Sequence, residues 1–287
     1  MKDVVLDTDA FNEIDDQFAI AYLLKNKEYL NTEAIYAAPF SNTIAASPAE
    51  GMEKSYNEIL KLLKLCGREV PVFRGSEKYL IDEHTPVESP AARDLICRAL
   101  KHSKDDPLYV VAIGAITNVA SALLIEPMIS EKIVVVWLGG HAHHWHDTME
   151  FNMKQDFAAA RVVMGSNAPF VQLPCRGVVS EFAVSGPDLE RLLYDRNALS
   201  DYLARNTVQH MIERKNAGPI WSKPLWDVTA VAWLLNDDDR YMRSYEKCVR
   251  LPDYNGIYEP PLDKTIKYVY SINRDVLLTN LVKVLTE

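Results

Sequence analysis

Short, continuous apolar runs alternate with stretches of helical period along most of the chain, and that alternation predicts a fold class. Strands are expected at residues 4–6, 34–38, 70–73, 108–113, 133–138 and 170–173. Helices are expected between them. Phe18, Ala19, Tyr22 and Leu23 share one face after the first strand, and Ile59, Leu62 and Leu63 do so within 52–65. Residues 91–100 and 158–164 repeat the pattern, and the turn at 114–118 opens a helix running to about residue 125. Strands this apolar are buried on both faces, so an α/β fold is expected: a mostly parallel open sheet with helices on both faces. Ligands in such sheets bind outside the carboxyl ends of the strands, where the polar clusters following each strand converge.

Beyond Pro174 the pattern turns helical. Residues 187–193, 199–214 and 226–235 read as extra helices in the C-terminal third, with no further strand before 265–271. The Pro/Gly positions around Gly218-Pro219 and Pro260-Pro261 mark loops and not a linker. One domain over 1–287 is expected, with 175–264 as a helical cap or an extension of it. The length suits one large α/β core, and 48% hydrophobic with 25% charged residues is ordinary for a globular chain. A net charge of -9 argues against non-specific binding to nucleic acid or to anionic membranes. No apolar stretch approaches a membrane span, and residues 1–6 carry no secretory pattern. Cys66, Cys97, Cys175 and Cys248 form no paired-ligand motif, against structural zinc or a disulfide framework, so a reduced, cytoplasmic setting is expected.

The candidate chemistry starts at the end of the first strand, where Asp7, Asp9, Asp15 and Asp16 fall within ten residues. Like charges so close repel, and burying them unpaired is costly. A hard divalent cation with oxygen ligands is the simplest remedy. Helix capping would account for one or two such acids but not for four. Three later segments add candidates: Gly114-Ala115-Ile116-Thr117-Asn118 directly after an apolar run, Glu150-Phe151-Asn152 a few residues past another, and Trp226-Asp227, where Asp227 opens an apolar helix. Gly114 lets the chain turn so that the Ile113 carbonyl can face the crevice. Glu150 and Asn152, two apart, would share one side of an extended segment and suit neighbouring sugar hydroxyls.

In this order the four segments resemble the inosine–uridine-preferring nucleoside hydrolase family. Its pattern is Asp-x-Asp, a paired Asp-Asp, Gly-Pro-Leu-Thr-Asn, Glu-Phe-Asn, and an Asp opening a late helix. The resemblance runs from residue 7 to about 231. It implies the nucleoside hydrolase fold holding Ca²⁺, hydrolysis of the N-glycosidic bond of ribonucleosides, and a homodimer or homotetramer. By position it implies Asp9, Asp16 and Asp227 as metal carboxylates, with the Ile113 carbonyl as a backbone ligand. It further implies Asp9 as the general base acting on a metal-bound water. Asp15, Glu150 and Asn152 become ribose contacts with Asn42 as a further one, and Asp7 orients the turn. The chemistry agrees: an oxocarbenium-like sugar is stabilised by surrounding negative groups, and a metal diol contact favours ribose over 2′-deoxyribose.

The sequence departs from that pattern in four places, of which the change at Gly114-Ala115-Ile116 is harmless. Two extra residues separate Asp9 from Asp15, with Asn12 and Glu13 where Pro-Gly is common, and Asn12 becomes an added sugar contact. Gly114-Ala115-Ile116 replaces Gly-Pro-Leu. The loop before Glu150 reads His141-Ala142-His143-His144-Trp145-His146. Trp226 stands where many members place a histidine that helps the leaving group. His144 or His146 is therefore expected to line the base pocket and supply the proton that Trp226 cannot. The histidines could alternatively hold a transition metal. Trp145, Trp221 and Trp226 are candidates to stack on a base or simply to pack. The competing functions are a phosphatase with an Asp nucleophile in Asp7-Thr8-Asp9, and a nucleoside- or sugar-binding protein without catalysis.

Overall fold

The computed structural model describes residues 1–213, 218 and 220–287. Arg214, the last residue of an expected helix, and Pro219, in an expected loop, lie outside these residues. Val4 and Leu6 turn to one face of the first strand and Val5 to the other, and all three are fully buried. The same holds in the neighbouring strands: Val111, Val136 and Val171 join one core cluster, and Val110, Val135 and Phe170 join the other. Burial on both faces is why these runs carry no polar alternation.

The strands are β1 (Lys2–Thr8), β2 (Leu30–Ala37), β3 (Val72–Arg74), β4 (Leu108–Ala112), β5 (Ile133–Leu138) and β6 (Phe170–Leu173). Two short strands, β7 (Ala183–Ser185) and β8 (Ser222–Pro224), pair antiparallel apart from the main sheet. β9 (Met242–Cys248) and β10 (Thr265–Ile272) complete the set. The described residues form an eight-stranded sheet in the order β3-β2-β1-β4-β5-β6-β10-β9. Every pairing in it is parallel except β10 with the edge strand β9.

Helices α1 (Asp15–Lys25), α2 (Pro48–Cys66), α3 (Pro90–Ala99), α4 (Thr117–Ile125), α5 (Phe151–Gln155) and α6 (Phe157–Gly165) lie between the first six strands. α7 (Gly186–Leu193), α8 (Ala198–Glu213), α9 (Val228–Trp233) and α10 (Arg274–Thr286) follow. α1, α2 and α7 to α10 pack on one face, while α3, α4 and α6 cover the other. The ends are specified locally. Ser47 accepts from the Glu50 N–H, Pro48 opens α2, and Gly67 closes it at φ 61°.

The mostly parallel sheet flanked by helices is the expected architecture. The segment after Pro174 differs: β7, β8 and β9 lie where only helices were expected, and α10 ends the chain. In β9 only Met242 is buried, and the charged Arg243 and Glu246 are exposed, the kind of side chain that protects a sheet edge. Among the described residues no helix is long and apolar enough to cross a membrane.

Candidate active site

Because the central strands run parallel, the ends of β1, β4, β5 and β6 meet on one side, around a cavity of about 240 Å³. β1 delivers Asp7 and Asp9, and α1 opens with Asp15 and Asp16 in its first turn, where the helix dipole favours acids. Thr8 Oγ1 donates to Asp16 Oδ1 at 2.5 Å. Asn118, on α4, donates to Asp7 Oδ1 at 2.8 Å and accepts from the N–H and hydroxyl of Ser76. Gly114 is required here by close approach: a Cβ would sit 2.9 Å from Ala38 Cβ and 3.1 Å from the Asp9 nitrogen.

Asp227 immediately precedes α9, and its N–H reaches Asp15 Oδ2 at 3.4 Å. Oxygens of Asp15, Asp16 and Asp227 converge within 4.8 Å of one another. Burial, and then the neighbouring carboxylates, push Asp9 and Asp227 well above the usual carboxylate range. Burial likewise raises Asp16 to about 7, with Asp15 adding repulsion, and raises Asp7 to about 7 against the Asn118 hydrogen bond. Asp9 is 1% exposed and its Oδ2 has no hydrogen-bond partner. A buried, orphaned carboxylate oxygen beside three convergent ones is a donor set suited to a hard divalent cation. Asp9, Asp16, Asp227 and Ile113 all line the cavity, so the residues fit such an ion.

The walls depart from the expected geometry at Glu150 and Asn152, at Asn42 and in the histidine loop. Glu150 and Asn152 do not lie on an extended segment: Glu150 caps α5, and Asn152 lies within that helix. Glu150 accepts from the N–H groups of Asn152 at 2.9 Å, Met153 at 3.0 Å and Gly140 at 3.0 Å. Asn152 Nδ2 donates to the carbonyls of Ile113 at 3.1 Å and Leu138 at 3.0 Å, tying the ends of β4 and β5 together. Both residues still line the cavity, as do Asn12 and Trp226. Asn42 is exposed, away from the lining, and donates to Asn12 Oδ1 at 2.8 Å.

The histidine loop divides by burial. His141 lines the cavity, and burial, with the Arg176 charge, lowers it to about 4. His143 packs between Tyr258 and Tyr268 and bonds Gln172 Oε1 at 3.1 Å. His144 and His146 are exposed and outside the lining, and His146 pairs with Asp147 at 2.8 Å. The expected placement of His144 or His146 in the pocket is therefore corrected: the loop turns its first histidine inward. Among the described residues, no metal-holding group of three includes a histidine of this loop.

Lys223 was not anticipated. It is 1% exposed, it bonds Glu13 and, at 3.1 Å, Asp15 Oδ1, and it lies 4.0 Å from the Trp226 ring centre. Burial lowers its pKa, but the Asp15 and Glu13 charges outweigh burial, and the net shift is upward. Arg176, Lys154 and Cys175 also line the cavity without having been singled out.

An open α/β sheet with a carboxylate-lined cavity at the carboxyl ends of its parallel strands defines an enzyme site. Residues 4–268 match the sequence model of the family described as "Inosine-uridine preferring nucleoside hydrolase". The chain belongs to that family and is a nucleosidase, which displaces the phosphatase and binding-protein alternatives. It is 27% identical over 263 residues to a pyrimidine-specific ribonucleoside hydrolase RihA of Shewanella sp. (strain MR-4), covering 82% of this chain and 78% of that one. The RihA of Citrobacter koseri is 27% identical over 251 residues, covering 78% and 77%. Among solved structures, a plant nucleoside hydrolase, PpNRh1, superposes with a TM-score of 0.80 at 20% identity, over 99% of both chains. A purine-preferring ribonucleoside hydrolase from Gardnerella vaginalis gives 0.76 at 20% identity, over 99% of this chain and 98% of the other.

Proposed function

We propose that the protein hydrolyses the N-glycosidic bond of ribonucleosides, with Ca²⁺ held by Asp9, Asp16, Asp227 and the Ile113 carbonyl. The observation that carries this reading is the buried, unpartnered Asp9 Oδ2 beside the convergent carboxylates of Asp15, Asp16 and Asp227. When bound, the ion would activate water and offset the crowded negative charge. Asp9 takes the proton of the attacking water, since its free oxygen faces no other donor. Asp15, fixed through Oδ1 by Lys223, turns its other oxygen toward the cluster and serves the ribose hydroxyls. Asn12, Glu150 and Asn152 shape the sugar side, and the carboxylates stabilise positive charge developing on the ring.

The same reading assigns a homodimer or homotetramer, which sedimentation measures directly. It also treats residues 175–264 as an extension of the one domain, because β9 joins the main sheet through β10.

The test is ribose release from purine and pyrimidine ribonucleosides, with and without a Ca²⁺ chelator, beside Asp9→Ala. Both bases belong in the panel, since the relatives are named for either. Chelator-sensitive release that is lost in Asp9→Ala, by about a hundredfold or more for a general base, is the expected result. Release untouched by both would remove the metal and the base from the mechanism.

A further inference from the structure

Among the described residues lining the cavity, no ready proton donor faces a departing base. Trp226 Nε1–H is already committed to Ser180 Oγ at 2.9 Å. His141 accepts the Arg176 backbone N–H on Nδ1, which leaves its hydrogen on Nε2 on the side of Asp147 at 3.9 Å, and as a neutral imidazole at pH 7 it is a very weak acid. Both oxygens of Glu150 accept backbone N–H groups. Burial pushes the Cys175 thiol up, making it a weaker acid still.

The cavity does carry positive charge. Arg176 follows β6 and Lys154 lies on α5, and both are exposed at the cavity lining, facing the same bay as His141. Neither side chain makes an ion pair with an acid among the described residues; Lys154 lies 5.3 Å from the Phe151 ring centre. This placement is informative in a chain of net charge -9 whose cavity floor holds Asp9, Asp15, Asp16 and Asp227. A negative group generated over that floor is repelled unless it has its own counter-charge.

Resting on the ribonucleoside hydrolase reading above, we propose that Arg176 and Lys154 receive the base as it departs with negative charge. The favoured substrates are then ribonucleosides whose base is stable as an anion, of the uracil or xanthine type. A water oxygen bonds to C1′ as the C1′–N bond breaks. The electron pair stays on the base nitrogen, the water proton passes to Asp9, and the base anion is protonated by solvent after release. Cationic hydrogen-bond donors replace the acid that Trp226 does not provide. Adenine and cytosine, which leave more readily when protonated, are the disfavoured bases.

The experiment compares kcat and KM for uridine, xanthosine, cytidine, adenosine and uridine 5′-monophosphate. The proteins are wild type, Arg176→Met, Arg176→Lys and Lys154→Met, all at exposed positions. Wild type is expected to turn over uridine and xanthosine fastest. Arg176→Met should lower their kcat by about ten- to a hundredfold, the worth of a charge-assisted bond, with KM little changed. Losses on cytidine and adenosine should be smaller, and Arg176→Lys should recover part of the rate. An equal loss on every base, or none, overturns the proposal. So does a preference for uridine 5′-monophosphate over uridine that disappears in Arg176→Met, because the cations would then serve a phosphate. Absence of ribose release from every nucleoside in wild type is a different result, which removes the hydrolase reading itself and this proposal with it.

Discussion

At the scale of single residues, the least legible feature of the site is Lys223. Its partner Asp15 lies 208 positions away, and nothing in Ser222-Lys223-Pro224 announces a buried cation. The acids were legible for the opposite reason: Asp7, Asp9, Asp15 and Asp16 crowd one short stretch, and repulsion among them asks for a counter-charge. The structure supplies part of it from the chain itself. Lys223 ties the lengthened turn to β8 through Glu13 and fixes Asp15. Removing one member of a buried pair leaves the other uncompensated, which costs about 3–5 kcal/mol. Glu13 is 27% exposed and softens the loss, so Lys223→Met is expected near the lower end of that range in urea titration. Adding Asp15→Asn to Lys223→Met should return part of the stability by removing the stranded charge. A single variant as stable as wild type, or a double variant with simply additive losses, would contradict this pairing.

At the scale of elements, legibility followed burial. β1, β4, β5 and β6 were readable because both faces are buried and the apolar run is unbroken. β7 and β8 have three residues each, too few for any period to show, and β9 is polar and largely exposed, with no apolar run to read. α10 did have a signal, since Leu277, Leu281 and Leu285 recur at four-residue spacing and are buried. Glu150-Phe151-Asn152 misled for a physical reason: a carboxylate two residues before an amide fits a strand face and equally fits a helix N-cap. Here the cap prevails because α5 begins at Phe151, and Glu150 also gathers the Gly140 N–H from the end of β5. Glu150→Gln keeps one acceptor oxygen but turns an amide NH₂ toward donors that need an acceptor. The expected loss is about 1–3 kcal/mol, the price of leaving buried N–H groups unpaired. Hydrogen exchange at Gly140 and Met153 should quicken together in this variant. If both amides keep their protection, the cap is not what ties the loop to the helix.

At the scale of the whole molecule, the parallel sheet brings the ends of separate strands, and the acids on them, to a single place, and the folded chain must tolerate their charge. Burial raises Asp7 and Asp16 to about 7, whereas the unfolded chain releases those protons near the ordinary value of 3.8. The folded, metal-free protein therefore binds more protons between these limits. The stability these groups contribute is full below about pH 3.8 and is lost as pH rises through about 7. His141 and His143, both lowered to about 4 by burial, act in the opposite direction, losing stability as pH falls from 6.5 toward 4. His143 lies outside the cavity lining, so its effect is common to metal-free and Ca²⁺-loaded protein and cancels in the difference. A cation in the cavity that His141 lines would disfavour the protonated form of that histidine and so also make the Ca²⁺ gain smaller at low pH. A cation bound as proposed, by Asp9, Asp16 and Asp227, would compete with protons for the same oxygens. The gain in melting temperature on adding Ca²⁺ should thus be small near pH 4 and grow toward pH 7. At a hundredfold excess over the dissociation constant it should correspond to about 2.7 kcal/mol. Asp227→Ala should abolish the gain, while Asp9→Asn should lose it and also stabilise the chelated protein at pH 7 by removing one of the crowded charges. A Ca²⁺ gain that is flat with pH, or one that survives in Asp227→Ala, would place the ion elsewhere on the molecule.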